Sequence, residues 1–315
     1  MPSLTRRTWI GQAAATLALM SSRVRAADSG FAIGLELFPI DRALRADLAG
    51  TLAQVRAIGF REVEMFNFYD RTPEQLRRAL SAADLHCRSV VVRPQPLTPG
   101  DVLSLEADPQ GVLSRARDLG LRYLVCPGPW LPPAIHSSLP AKRTPAVIAA
   151  AVERMTAADW LWTAGRVNEL AAQAHGRGLQ LLYHNGSFEF APVAGSGGTG
   201  YDALLQALAP EVGLELDCGW VQAAGYDPIH YLQTQRGRVR LAHIKDMTAT
   251  PPNHTMKINS IEAGRGVVDW PRLIRALREA QVEVGYLEQE GPFVRPPLDS
   301  ARESRTYLER VLRQS

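Results

Sequence analysis

The chain has little cysteine, little net charge and no long apolar run in its body, and each shortage removes a class of protein. Three cysteines in 315 residues cannot form a disulfide framework. Cys87, Cys126 and Cys218 each fall in an apolar, strand-like run, where a free thiol is usually a small core residue. The net charge is +3, and the first 26 residues hold Arg6, Arg7, Arg23 and Arg25 with no acid, so the remainder stands at −1. A near-neutral body lacks the basic stripe of a nucleic-acid protein. No segment reaches the ~20 apolar residues that span a bilayer, so no membrane association is expected once the N-terminal segment is removed. The composition, 46% hydrophobic and 21% charged, is that of a folded domain and excludes a disordered chain.

The N-terminal segment reads as an export signal. Arg6-Arg7 precedes a mild apolar stretch, Gly11 to Met20, and Val24-Arg25-Ala26 places small or compact residues at −3 and −1 of a cleavage site. That is the layout of a signal peptide, and the arginine pair indicates the twin-arginine (Tat) route. Residues 1–26 are therefore expected to be a Tat signal peptide and 27–315 the folded protein, placed in the periplasm.

A repeating pattern runs through residues 27–315. Strand-like runs at 31–37, 61–66, 86–92, 121–126, 179–183, 212–217, 239–244 and 282–287 alternate with amphipathic runs at 44–58, 73–83, 102–119, up to about 175, 201–208, 228–235, 270–280 and 300–312. Thr72 and Asp269 stand where helix caps are needed. Gly59, Gly120 and Gly178 stand between a helix and the next strand. Strict alternation implies a parallel sheet. The strands read as continuous apolar runs, as expected when both faces are covered. Eight units fit a single-domain (β/α)8 TIM barrel. An open doubly wound sheet usually carries a glycine-rich phosphate loop after its first strand, and here that position reads Glu36-Leu37-Phe38-Pro39. The proline-rich segment Pro127–Pro145 follows strand four and should lie over the barrel mouth, as a lid or a structural cover.

In such a barrel the chemistry sits at the C-terminal strand ends. Those windows hold Glu36, Glu64, Arg93, Cys126, Tyr183-His184-Asn185 with Glu189, Asp217, His243 with Lys245-Asp246, and Glu288 with Gln289-Glu290. Neighbouring strands lie ~4.8 Å apart. His184 or Glu189, then Asp217, His243 and Glu288, can therefore converge on one point. Such a mixed nitrogen and oxygen set suits Mn²⁺, Zn²⁺, Co²⁺ or Fe²⁺. Gly195–Gly200 reads as a flexible turn. Gly264-Arg265-Gly266 reads as a turn after strand seven. Trp220 lies near the rim and Trp270 at a helix start.

Several blocks together resemble a known family. Tyr183-His184-Asn185-Gly186-Ser187-Phe188-Glu189-Phe190 is similar to the Tyr-His-Asn-His-x-Phe-Glu-Phe signature of sugar phosphate isomerase/epimerase-like proteins, members of the xylose isomerase-like TIM-barrel superfamily. Glu215 to Trp220, Ala224 to Pro228, His243 to Met247, Glu262 to Trp270 and Leu287 to Glu290 resemble the blocks that follow, in order, from about residue 31 to the C-terminus. The resemblance implies a divalent metal held by strands five to eight. Here the ligands would be His184, Asp217, His243 and Glu288, with a ketose or keto-sugar chelated to the metal. It also implies proton transfer next to a carbonyl by carboxylates or lysine, assisted by the metal as Lewis acid. Two glutamates serve in the epimerase branch. Only Glu288 matches by position, because strand five ends in Tyr183-His184 where the first glutamate would fall. The second proton-transfer group is then expected among Glu189, Glu64 and Lys245. The expected activity is metal-dependent sugar isomerisation or epimerisation. The alternatives are a keto-glycoside lyase or hydrolase on the same site, or a non-catalytic sugar-binding protein. No surface feature of the sequence specifies an oligomeric state.

Overall fold

The computed structural model describes residues 31–96 and 103–314, so the expected export segment lies outside the described residues. Eight strands close into one parallel barrel: β1 (Ala32–Glu36), β2 (Glu62–Phe66), β3 (His86–Val91), β4 (Tyr123–Pro127), β5 (Gln180–His184), β6 (Gly213–Asp217), β7 (Val239–Ile244) and β8 (Val284–Leu287). Each strand pairs with its sequence neighbours, and β1 pairs with β8 through Ala32–Val284 and Leu35–Leu287. Sequential pairing with helical crossovers is the outcome that short, right-handed connections favour. Among the described residues no helix is long and apolar enough to cross a membrane.

Two apolar regions hold the barrel. Val91, Tyr123, Val125, Leu182, Leu241, Val284 and Tyr286 fill its interior. A larger cluster packs the outer strand faces against the helices. Below the interior, at the N-terminal strand ends, Arg88 grips Glu62 through two bonds of 2.8 Å. Beside them Tyr123 donates to Glu283 at 2.6 Å. These polar groups close the bottom of the barrel, so the cavity opens only where the strands end.

Local sequence explains the element ends. Thr72 forms a capping box with Gln75, and Asp269 accepts from the Arg272 N–H. Gly59, Gly120 and Gly178 have φ of 112°, 76° and 76°, the left-handed region that lets a helix stop. Two expected helices are shorter than the apolar pattern suggests. The run expected over 102–119 is helical only at Pro109–Leu119, where Asp108 caps the Gly111 N–H; a residue before proline avoids helical backbone. The run over 44–58 is broken at Asp47, whose extended backbone (φ −146°, ψ 92°) ends Asp41–Ala46 and caps Leu48–Ile58. Cys126 and Cys218 are buried and free, and burial pushes their thiols up.

The segment after β4 is a pinned hood. It holds a short helix, Pro133–Ser137, and leads into Pro145–Val152. The Gln95 side chain makes both bonds of a clamp on Leu131, donating to its carbonyl (2.9 Å) and accepting from its N–H (3.0 Å). Thr163 Oγ1 donates to the Trp130 carbonyl at 2.7 Å. These anchors make the segment a fixed cover.

After β7, Asp246 organises the next loop. Its buried carboxylate accepts from the N–H groups of Met247, Gly264, Gly266 and Val268 and from Trp270 Nε1, at 2.8 to 3.2 Å. The glycine turn and Trp270 thus serve one anchor. Removing a carboxylate that satisfies five donors leaves the buried ones, the Met247 N–H and Trp270 Nε1, unpaired. Asp246→Ala should lower the free energy of unfolding by about 3–5 kcal/mol, with a smaller loss for Asp246→Asn, as read from urea midpoints.

Candidate active site and metal centre

In a strand, residues two apart face the same side. That spacing pairs the polar groups at the mouth: Glu215 and Asp217 on β6, His243 on β7 with Lys245 just past its end, and Glu288 and Glu290 beyond the end of β8. His243 lies at the centre. Its Nε2 is 2.6 Å from Glu64 Oε2 and 3.4 Å from Glu215 Oε2. Its Nδ1 is 3.1 Å from Glu288 Oε2 and 3.8 Å from Asp217 Oδ2. His184 stands edge-on to it, ring centroids 4.5 Å apart. The His184 Nδ1 is 3.0 Å from Glu215 Oε2, and its Nε2 is 3.8 Å from Asp217 Oδ2.

This arrangement fits a divalent cation. Each imidazole has one ring nitrogen against a buried carboxylate, Glu215 for His184 and Glu64 for His243. The other nitrogen is directed toward Asp217, in the way outer carboxylates orient metal-binding histidines. His184, Asp217 and His243 offer ligand atoms within 4.8 Å of one another, and Glu288 Oε2 adjoins His243 Nδ1. Asp217 Oδ2 is buried without a hydrogen-bond partner, although Lys245 Nζ makes an ion pair with it at 2.9 Å.

Burial and charge set the protonation states. Burial pushes the Glu64 carboxyl up to about 7, with the Glu215 charge adding to it. Burial, then the neighbouring His243, lowers His184 to about 4, which leaves it neutral at pH 7. Burial alone would lower His243, but Glu215 and Glu288 outweigh it and raise it well above its ordinary value. Glu288 behaves oppositely: burial would raise it, yet Lys245 and His243 hold it well below the usual carboxylate range. Lys245 lies under the Trp220 ring, 4.8 Å from its centroid. Its Nζ is 2.9 Å from Asp217, 2.5 Å from Glu288 and 2.9 Å from Glu290. A Cβ on Gly219 would fall 2.2 Å from Lys245 Cγ, so only glycine leaves room for that side chain.

A cavity of about 340 Å³ opens above this cluster. Glu36, His184, His243, Glu288, Glu290 and Trp220 reach it, together with Arg93 and Arg143. Of the expected site residues, Asp217 does not line the cavity, but it offers a carboxylate oxygen to the His184–His243 group. The three expected second proton-transfer groups do not line the cavity. Glu64 lies behind His243. Lys245 is enclosed by three carboxylates and Trp220. Glu189 is fully buried beside the chain at Gly128 and Gly186, accepting from Tyr183 Oη at 2.8 Å and from the Gly186 N–H at 3.0 Å. Because the loop after β4 packs against it, its sequence position next to a strand end does not bring it to the mouth.

The sequence places Glu36 and Glu290 at the rim without giving either a role, and Glu215 is missed as a site group. Glu215 had a readable signal, a lone acid two residues before Asp217 in an apolar strand. Glu36 accepts from the Phe38 N–H at 2.7 Å with one oxygen, and the other is buried without a hydrogen-bond partner. Burial, then the Glu288 charge, pushes its carboxyl well above the usual range.

Comparison gives the family to which this closed barrel with its acidic, histidine-containing mouth belongs. Residues 52–311 match the family model for the xylose isomerase-like TIM barrel, and the chain belongs to that family. It is 25% identical over 173 residues to an inosose dehydratase of Geobacillus thermodenitrificans (strain NG80-2), covering 49% of this chain and 55% of that one. The chain thus spans about half the length of this curated relative. Solved structures share the fold. A sugar phosphate isomerase/epimerase from Parabacteroides distasonis ATCC 8503 superposes with TM-score 0.68 at 19% identity, over 90% of this chain and 95% of that one. The IolI protein with a binding zinc atom superposes with TM-score 0.61 at 15% identity, over 90% and 99%.

Two outcomes follow from the site. Glu64→Gln and Glu215→Gln should each weaken divalent-metal affinity by about 10–100-fold, as read by metal titration calorimetry. Asp217→Ala should abolish stoichiometric metal in elemental analysis. Glu189 gives a pH signature in the metal-free protein. Burial raises it from 4.5 to about 7, so its neutral form contributes stability fully below about 4.5, and that contribution is lost as pH rises through about 7. In Glu189→Gln the urea midpoint should fall less steeply than in the parent across that window.

Proposed function

We propose that this chain is a divalent-metal-dependent enzyme that removes a proton from the carbon beside the carbonyl of a keto-sugar, the step that isomerases and epimerases share with eliminating enzymes. The observation that carries the reading is the convergence of His184, Asp217 and His243, whose ligand atoms lie within 4.8 Å of one another, with Glu288 Oε2 beside His243 Nδ1 at 3.1 Å and each imidazole backed by a buried carboxylate. Those four residues would hold the cation, and Mn²⁺, Zn²⁺, Co²⁺ or Fe²⁺ suits the donor set. When bound, it supplies Lewis-acid polarisation of adjacent sugar oxygens. In this reading residues 1–26 address the folded protein to the periplasm by the Tat route.

The chain's own groups divide the remaining work. Glu288, held ionised by Lys245 and His243, can accept the proton. Glu36 and Glu290 face the same cavity, and burial raises both carboxyls, which favours the protonated form that can return a proton. Lys245 has a structural role, because its ammonium keeps Asp217, Glu288 and Glu290 close together and charge-balanced.

One observation favours elimination as the second reading. The cavity-lining carboxylates among the described residues, Glu36, Glu288 and Glu290, come from β1 and the end of β8, which are adjacent strands. Epimerisation moves a proton between opposite faces of the carbon. A one-sided set instead suits abstraction at one carbon and protonation of a leaving oxygen on the same side. The similarity to an inosose dehydratase supports this branch.

Incubation of the metal-loaded protein with keto-sugars and keto-glycosides in deuterated water tests the proposal. The expected result is deuterium at the carbon beside the carbonyl, or release of the leaving group. Glu288→Gln should lower the rate by about 10²–10⁴-fold. Sugar binding that persists without metal, with neither exchange nor cleavage for any substrate, overturns the enzymatic reading in favour of a binding protein.

A further inference from the structure

The cavity has two unlike zones. Its floor is the polar cluster just described. Its upper wall is apolar and comes from separate parts of the chain: Phe38 after β1, Phe66 at the end of β2, Leu139 and Ile148 from the hood, Phe188 after β5, and Met256 from the loop after β7. Phe38 and Phe66 form a tilted ring pair, 4.8 Å between centroids. Phe38 remains 40% exposed, large for an apolar ring at the lip of a pocket. The wall is held in place by the Gln95–Leu131 clamp, and Met256 is tied by its N–H to Ser187 Oγ at 2.9 Å. The volume, about 340 Å³, lies within the ~300–1,000 Å³ of pockets that enclose drug-sized ligands.

A free monosaccharide presents hydroxyls on every side, and those that met the upper wall would lose water without gaining a hydrogen bond. A sugar phosphate would require the cations of the cavity to face its phosphate. Yet Arg143 is bonded to the Pro96 carbonyl and lies 2.5 Å from His136 Nε2, and Arg93 lies over the Phe66 ring, 4.6 Å from its centroid. Both arginines thus have partners within the wall, although Arg143 Nε is buried without a hydrogen-bond partner. A planar apolar group suits the upper zone, since ring faces pack well against aromatic and aliphatic side chains.

We infer that the substrate is a glycoside with an aromatic aglycone: the sugar ring occupies the polar floor and the aglycone lies under the hood between Phe38, Phe66, Leu139 and Ile148. The inference rests on the sugar reading of the floor and adds to it the class of the second substituent. It also gives the elimination branch a leaving group, the aglycone oxygen. As Glu288 takes the proton beside the carbonyl, the bond from the sugar to that oxygen breaks. The oxygen receives a proton from Glu36 or Glu290, and the products are an unsaturated keto-sugar and a phenol.

Calorimetry on the metal-loaded protein tests the assignment without turnover. The probes are para-nitrophenyl and methyl glycosides of glucose, galactose and xylose, para-nitrophenol alone, and glucose 6-phosphate. The expected result is that, for at least one sugar, the aryl glycoside binds about tenfold or more tightly than its methyl counterpart, as burial of an aromatic ring implies. Phe38→Ser and Ile148→Asn, both at partly exposed wall positions, should remove most of that preference and leave the methyl glycoside unchanged. Equal affinity of aryl and methyl glycosides overturns the aglycone assignment and leaves the sugar floor standing. Tighter binding of glucose 6-phosphate than of any aryl glycoside overturns it in favour of a phosphate on Arg93 and Arg143. Binding of para-nitrophenol with no glycoside bound, or no binding at all, overturns the aglycone assignment, while deuterium exchange with keto-sugars decides the sugar reading separately.

Discussion

One buried imidazole ties the mouth of this barrel together. His243 faces carboxylates from three other strands, Glu64 on β2, Glu215 and Asp217 on β6, and Glu288 beyond β8. Six carboxylates gather in this region, Glu36, Glu64, Glu215, Asp217, Glu288 and Glu290. Lys245 and the His243 ring are the cations that meet them directly. Taking so many like charges out of water is unfavourable unless they are neutralised by protons, paired with cations, or bound to a metal. Burial raises the carboxyls of Glu36 and Glu64, and Lys245 makes ion pairs with three others. The excess of acid that remains is the electrostatic character a divalent cation matches.

The fold makes that concentration of charge tolerable. Beneath the cluster the barrel is plugged by Val91, Val125, Leu182, Leu241 and Val284, and the Arg88–Glu62 and Tyr123–Glu283 bonds close the far end. Stability therefore comes from layers that do not include the site, and the rim is free to carry mutually repelling groups. The strand pleat then orders them. Glu215 with Asp217 and His243 with Lys245 are two apart on their strands and stand one above the other, and Glu290 extends the position of Glu288 past the end of β8. A lower group of each set orients or buffers an upper one.

Much of the barrel was legible because its signals are local. Apolar runs, proline at helix starts, Thr72, Asp269 and the glycines at 59, 120 and 178 mark element ends within a few residues of themselves. The rim windows then followed from the architecture, which is how His184, Asp217, His243 and Glu288 could be grouped from sequence. What escaped depended on packing between distant segments. Glu189 looked catalytic because it follows a strand end, but the chain at Gly128, from another strand, covers it. Lys245 looked like a proton-transfer group until the positions of Trp220 and Gly219 enclosed it. Asp246 gave no hint that it anchors a turn twenty residues later. Glu215 was readable in principle: an acid inside an apolar strand demands a partner, and residues two apart share a face.

Glu215 also explains how this chain departs from the epimerase pattern without losing a coherent site. Where that pattern has a glutamate at the end of strand five, this sequence has His184, and the exchange takes one negative charge from the upper layer. A neutral imidazole in that position needs a defined tautomer to present a lone pair. Glu215 supplies it from the adjacent strand, accepting from Nδ1 at 3.0 Å and leaving Nε2 directed toward Asp217. In the proposed reading proton transfer has no carboxylate on the β5 side, while a donor set suited to a divalent cation is kept. Both follow from the same exchange, and in that reading they favour acids aligned along β1 and β8 over two opposed bases.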